Sequence, residues 1–358
     1  MTNDITFDDD KHLLCSLCFN DFGLRHNADK IGIKDDSKCS NCKSKNGKKL
    51  RKSELLKLTH EYFVRGTTIK LDYGEAPALQ FNQHQYGNNT PISSGNLSQD
   101  ISLIENTAKI GLFHYGPRLW MVGEIEPLKE LQNNSTRSGV ITKIIDIFPD
   151  YVINESHHFF RIRKNPIQPL EHHEYDSPPD EHLETYRLDS KSLPVLYGSP
   201  DIECCIHECR STIEDSIYIA RMSPSKELRM LNLNAVIKED TTEFESLDIS
   251  VQFVFAAGAH SYEISRDIAL ATYAAGYDGV IYPSYFSPMQ TGTPTIETYM
   301  GISTRLLMAR QGLTHPRTIP NVCIFGRPVA GGTVSVRSIH RLVLKSAKYD
   351  FSFGPAEF

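Results

Sequence analysis

The chain carries four of its eight cysteines in two matched pairs near its start. Cys15-x2-Cys18 is followed by twenty residues and then by Cys39-x2-Cys42. A C-x2-C turn presents two sulfurs to one metal, and two such turns complete a tetrahedral four-thiolate shell. That shell leaves no position for water, so the expected ion is a structural Zn2+ held by Cys15, Cys18, Cys39 and Cys42. The repeated spacing argues against four unrelated buried cysteines, and two identical pairs argue against a redox C-x2-C. Beside the pairs runs a basic stretch: Lys43, Lys45, Lys48, Lys49, Arg51, Lys52 and Lys57. It reads either as a surface for nucleic acid or an acidic partner, or as a solvated face without a role. Most charge runs are the latter, and this one lacks interleaved aromatics.

A second group of chemically capable residues begins near residue 158. His158-Phe159-Phe160-Arg161-Ile162-Arg163 has the period of a strand. On a strand Arg161 and Arg163 share one face, leaving Phe160 and Ile162 on the opposite, buried one. Two guanidiniums on one face suit the oxygens of a phosphate; a charged face on an exposed edge strand accounts for them equally well. Tyr197 ends the apolar run that starts at Leu193. Behind it, Ser199 fits a helix N-cap and Pro200 the first helical position. Ile202, Cys205, Ile206 and Cys209 then fall at i, i+3, i+4 and i+7 as a core stripe, with Glu208 on its flank. Cys204, Cys205 and Cys209 read as small core residues. Ser284 closes a turn-and-strand segment, Tyr277 to Ser284.

These residues need elements to hold them. Strands are expected at Ile217–Met222, Leu228–Leu233, Asn321–Phe325 and Thr333–Leu344. A helix capped by Ser261 carries Ile264, Ile268, Ala271 and Ala275, and Gly276 ends it. Another short helix is expected with Ser53 as its N-cap and Leu55, Leu58 and Tyr62 on one face. Residues 84–99 are turn-rich and read as a linker. Strands and helices mix without strict βαβ alternation, which predicts an α+β fold. Three parts are expected: a zinc-ribbon-like module over 1–66, a linker and mainly helical segment over 67–157, and a catalytic domain over 158–358. The 358 residues are 40% hydrophobic and 23% charged, with net charge −6. That composition excludes wholesale disorder and a global basic field for nucleic acid. The apolar run from Val251 to Ala259 is too short to span a bilayer, so no membrane partner is expected. An acidic, polar N-terminus and unpaired-looking thiols fit a reducing, cytoplasmic setting.

Read in order, FFRIR (159–163), YRLDSKSLPVLYGSPDIECCIHECR (186–210) and GYDGVIYPS (276–284) resemble the RES domain family, named for its Arg, Glu and Ser. Arg187 to Tyr197 is ten residues and Tyr197 to Glu208 is eleven, as in the family pattern, and Asn321-Val-Cys-Ile-Phe is similar to its late strand. Tyr186-Arg187-Leu188-Asp189 departs from the usual Gly-Arg-x-Asn. The Cys15-x2-Cys18-Phe19-x-Asp21 segment resembles the zinc-bearing HEPN/RES-type N-terminal region of longer members. The resemblance implies an ADP-ribosyltransferase-like mixed sheet with flanking helices. It implies an enzyme that degrades NAD+ at the nicotinamide ribosyl bond, by phosphorolysis or hydrolysis, as a toxin of a toxin–antitoxin or defence system. Alternatives are transfer of ADP-ribose to a protein or nucleic acid, and a non-enzymatic zinc-ribbon sensor. NAD+ would then be the substrate, with an antitoxin or other protein partner met through the N-terminal module. On this reading the catalytic residues are Glu208, Arg161, Tyr197 and Ser284. Arg161 is preferred over Arg163 as the essential arginine. Arg161, Arg163, Arg187, Tyr197 and Ser284 contact the nucleotide, and surplus positive charge favours phosphate as acceptor.

Overall fold

The structure is a computed structural model; it describes residues 11–73, 75–83, 95–115, 125–287, 298–299, 302–303 and 318–358. The chain divides into two compact units. The first comprises residues 1–71, 75–119 and 348–358; the second comprises 72–74 and 120–347.

In the first unit, β1 (Leu14–Cys15) pairs antiparallel with β2 (Lys49–Leu50) beneath the cysteine turns. The helices are α1 (Phe22–Ile31), α2 (Lys52–Thr59) and α3 (Gly95–Ala108). Asp21 caps α1 by accepting from the Leu24 amide at 2.8 Å. The N-cap of α2 is Arg51 rather than Ser53, because Glu54 reaches back to the Arg51 amide at 3.0 Å. Two ribbons, β3 (Thr68–Lys70) with β4 (Glu75–Pro77) and β5 (Leu79–Asn82) with β6 (Gly111–His114), complete the unit. One core joins Leu14, Phe19 and Leu55 to Ile101, Ile104 and Ile110, so residues beyond the cysteine module share its interior. Of the expected linker, residues 95–99 open α3, while 84–94 lie outside the described residues.

The second unit opens with the helices α4 (Glu126–Gln132) and α5 (Arg137–Ile147) and is built on two larger sheets. The five-stranded sheet runs β7 (Asp150–Ile153), β11 (Leu228–Asn232), β12 (Gly279–Pro283), β15 (Pro320–Phe325) and β9 (Val195–Gly198). Only β11 with β12 is parallel, so the sheet is mixed. The three-stranded sheet places β10 (Ile217–Pro224) between β8 (Phe159–Lys164) and β16 (Val334–Leu342). A short pair, β13 (Thr298–Tyr299) with β14 (Ile302–Ser303), stands apart. Period-two alternation sends Leu231, Val280, Cys323 and Phe325 into one core and Met230, Ile281, Val322 and Ile324 into another. The first core is shared with α4, α5, α7 (Leu247–Ala256) and α8 (Tyr262–Ala274), the second with strands of the smaller sheet. The fold is α+β. No helix among the described residues is long and apolar enough to cross a membrane.

Candidate active site

Strand β8 sets the first cluster. It pairs with β10, putting Arg161 opposite Ala220 and Arg163 opposite Tyr218. Beyond this edge, Phe160 and Ser199 exchange backbone hydrogen bonds of 2.7 and 3.1 Å, tying β8 to the end of β9. The close approach requires Gly198, where a Cβ would come within 2.5 Å of the Phe159 ring. Arg161 and Arg163 share a face, as both donate to the Asp176 carbonyl, at 2.9 and 2.8 Å. Arg161 also donates to the Tyr197 carbonyl at 2.7 Å, and Arg163 to the Glu174 carbonyl.

That face is not an exposed edge, because Arg161 is only 6% exposed. Its Nε meets no partner, and neither arginine is ion-paired to a carboxylate among the described residues. The Asp176 carboxylate turns away, accepting from the amides of Ser177, Val329 and Ala330. Burial first, and then the Arg163 charge, pushes Arg161 below the ordinary guanidinium value. Guanidinium stays protonated in proteins, so the physical content is an under-neutralised buried charge that an anion would relieve. The segment carrying those carbonyls is anchored by Tyr175, which is fully buried and donates to the Pro169 carbonyl at 2.8 Å.

The second cluster surrounds Glu208. Helix α6 (Ile202–Glu208) starts later than its sequence suggests, because Asp201 is the N-cap, accepting from the Cys204 amide at 2.7 Å. Cys204 and Cys205 are its buried residues, whereas Ile202 is 40% exposed and off the expected stripe. Cys204 and Glu208 are four apart and therefore on one side of the helix. Glu208 Oε1 accepts from Ser284 Oγ at 2.7 Å and from Asn321 Nδ2 at 2.6 Å. Ser284, 1% exposed, accepts in turn from Cys204 Sγ at 2.9 Å and the Phe286 amide at 3.1 Å. Ser284 follows β12 and Asn321 lies in β15, where it pairs with Tyr282 across the ladder. One carboxylate oxygen is thus fixed by two donors, while the side chain as a whole remains exposed.

Two other sequence-derived positions have internal partners. The Tyr197 hydroxyl accepts from the Leu188 and Asp189 amides at 2.8 and 3.1 Å and donates to Asp189 Oδ1 at 3.1 Å. Tyr197 thereby holds the 186–190 segment against β9. Arg187 donates to the Val254 carbonyl at 2.9 Å, the Ala257 carbonyl at 2.7 Å and Ser261 Oγ at 3.3 Å. Its guanidinium carbon lies 4.8 Å from the Tyr262 ring centroid. Arg187 therefore closes the C-terminal end of α7. Burial pushes the Cys209 thiol, just past α6, above its ordinary value, against the lowering effect of the Arg161 charge.

Sequence reasoning gave no role to Asn321 or to the Cys204 thiol. Asn321 had a signal: one amide-bearing residue opening an otherwise apolar strand. The Cys204 contact had none, since it depends on where Ser284 arrives.

Residues 158–292 match the family model described as the RES domain. Arg161, Arg163, Arg187, Tyr197, Glu208 and Ser284 lie within the match; Asn321 lies beyond it. Among solved structures, one similar chain comes from the crystal structure of the M. tuberculosis MbcT-MbcA toxin-antitoxin complex. The TM-score is 0.32 at 10% identity, covering 57% of this chain and 92% of that one. A likeness of that size carries no inference about activity or partners. No curated protein matches the chain.

The cysteines form a separate centre in the first unit. Their sulfurs approach at 3.8 Å (Cys15–Cys18), 3.4 Å (Cys15–Cys42) and 3.6 Å (Cys18–Cys39), and all four lie within 4.8 Å of one another. Four thiolates at about 2.3 Å from a tetrahedral ion sit about 3.8 Å apart, so the cluster fits a metal of that size. Burial, followed by contact with Cys42, pushes the Cys15 thiol up, so a cation must displace its proton. The basic stretch is partly internal. Lys49 is fully buried, donating to the carbonyls of Ser44, Lys45 and Gly47 at 3.3, 3.1 and 2.7 Å. It is therefore no part of a nucleic-acid surface.

Proposed function

We propose that the chain is an NAD+-degrading enzyme that cleaves the nicotinamide ribosyl bond, acting as a toxin or defence effector. The observation that carries this reading is Glu208, whose Oε1 is fixed by Ser284 and Asn321, in a segment that matches the RES domain and also buries the Arg161 charge. In the proposed reaction the C1″–N bond breaks and its electron pair leaves with nicotinamide. The departing ring is cationic beforehand and neutral afterwards, so no strong general acid is required. The ribose passes through an oxocarbenium-like state, which a nearby carboxylate stabilises. Glu208 supplies that carboxylate and is the catalytic residue. Arg161, with Arg163 beside it, answers the pyrophosphate. Ser284 and Asn321 act as positioning residues for Glu208, and Tyr197 positions the 186–190 segment.

The acceptor follows from charge less directly than the sequence suggests. The preference for phosphate rested on three arginines, and the Arg187 donors are engaged by α7 and Ser261. Purified protein incubated with NAD+, with and without phosphate, tests both points. Release of nicotinamide is the expected result, and ADP-ribose-1″-phosphate would identify phosphorolysis. Intact NAD+ in both incubations, with the protein folded, would reject the reading. We assign the four cysteines a structural zinc ion on the strength of their spacing and thiolate chemistry.

A further inference from the structure

Residues 348–358 belong to the first compact unit although the residues before them, 120–347, belong to the second. They form no helix or strand, yet α1 grips them specifically. Asn27 is 1% exposed and clamps the Phe353 peptide at two points. Its Nδ2 donates to the Phe353 carbonyl at 2.9 Å, and its Oδ1 accepts from the Phe353 amide at 3.2 Å. Such a clamp reads backbone and fixes register, as the main-chain bonds of peptide-recognition domains do. The Phe353 ring lies 5.7 Å from Phe22 and 5.3 Å from His26. One residue on, Gly354 meets Gly66 so closely that a Cβ on Gly354 would lie 2.4 Å from the Gly66 carbonyl oxygen. At the other end Lys30 pairs with Asp350 at 2.6 Å. The tail does not fill its groove. A shallow, solvent-open depression of about 520 Å3 lies beside it, lined in part by Asp21, Tyr62, Leu97 and Pro355, and Phe22 is 72% exposed.

We propose that this face of α1 is a peptide-recognition groove, and that Asp350-Phe351-Ser352-Phe353-Gly354 is its resident, displaceable ligand. The Asn27 clamp sets register, Phe353 supplies burial, and the Gly66 contact admits only glycine at the next position. The Lys30–Asp350 pair is exposed on both sides, so it contributes little. Covalent attachment keeps the groove closed: a tethered segment has an effective concentration on the order of millimolar, above that of any free competitor. A partner bearing the same Asp-Phe-x-Phe-Gly pattern meets an occupied site until the tail is released. This inference is independent of the NAD+ reading.

The test uses the full, metal-loaded chain with a protease site inserted in the exposed stretch 345–348. After cleavage, native mass spectrometry follows the retained tail while a synthetic peptide of residues 348–358 is added. The tail should stay bound after the cut and exchange for excess peptide, whereas uncut protein should bind none at the same concentration. Replacing Phe353 by Ala in the peptide should weaken it by about 10- to 100-fold. Replacing Asp350 by Ala should weaken it by about two- to fivefold, and Gly354→Ala should abolish exchange. A tail that departs at once on cleavage, or that no excess of peptide displaces, overturns the proposal. Equal peptide binding before and after the cut does so too.

Discussion

At Glu208, two hydrogen bonds separate shape from charge. Both donors, Ser284 Oγ and Asn321 Nδ2, reach the same carboxylate oxygen. Glu208→Gln can keep that oxygen as a carbonyl and place its amide nitrogen where the second oxygen stood. The fold should barely respond, since both bonds survive and the side chain is exposed. The charge is lost, and with it the stabilisation of the proposed cationic ribose. Removing one well-placed electrostatic contact costs about 10²–10³ in rate, or about 3–4 kcal/mol. We expect a variant with unchanged melting temperature that still binds NAD+ through the arginines and no longer consumes it. NAD+ consumption near the wild-type rate would remove Glu208 from the chemistry.

The elements show how each arginine is held, since all three donate to backbone carbonyls. Strand β8 aligns Arg161 and Arg163 on one face and leaves them facing carbonyls without a carboxylate partner. Arg187, by contrast, closes α7. The negative end of the helix dipole and the terminal carbonyls favour a cation there. Arg187→Ala would leave the Val254 and Ala257 carbonyls without their charged donor and remove the Tyr262 contact. Charge-assisted hydrogen bonds contribute about 1.5–3 kcal/mol each in favourable settings. A destabilisation of about 2–3 kcal/mol is therefore expected in urea unfolding, with NAD+ turnover per folded molecule nearly unchanged. Lost turnover with intact stability would show instead that Arg187 contacts the nucleotide.

Across the whole molecule, the two units have separate cores and should respond differently to metal removal. The four sulfurs bring together β1 and the knuckle around Cys39, beside the core that Leu14 and Phe19 share with α2 and α3. Metal analysis should give about one zinc per chain. Chelation or Cys39→Ser should unfold the first unit, visible as loss of amide protection over α1 and α2, while protection over β11, β12 and β15 persists. A metal-free protein protected throughout the first unit would show that the cysteines are not a structural centre.

What the sequence determined is what local geometry determines. C-x2-C turns direct two sulfurs at one point whatever the rest of the chain does, and the four-sulfur cluster stands where the spacing put it. Strand period placed Arg161 and Arg163 on one face, and Ser261 marked the start of α8. Helix starts were legible only to within a residue or two, because the competing caps, Arg51 and Asp201, depend on side-chain bonds as well as residue type. Tertiary structure alone decided the rest. Glu208 meets Ser284 across 76 residues and Asn321 across 113, and Arg187 reaches Val254 across 67. The burial of Arg161, the engagement of Arg187 and the internal place of Lys49 also depend on partners supplied from elsewhere in the chain. Periodicity assigns a residue to a face; which groups that face meets is set by how sheets and helices pack, through contacts that no local window contains.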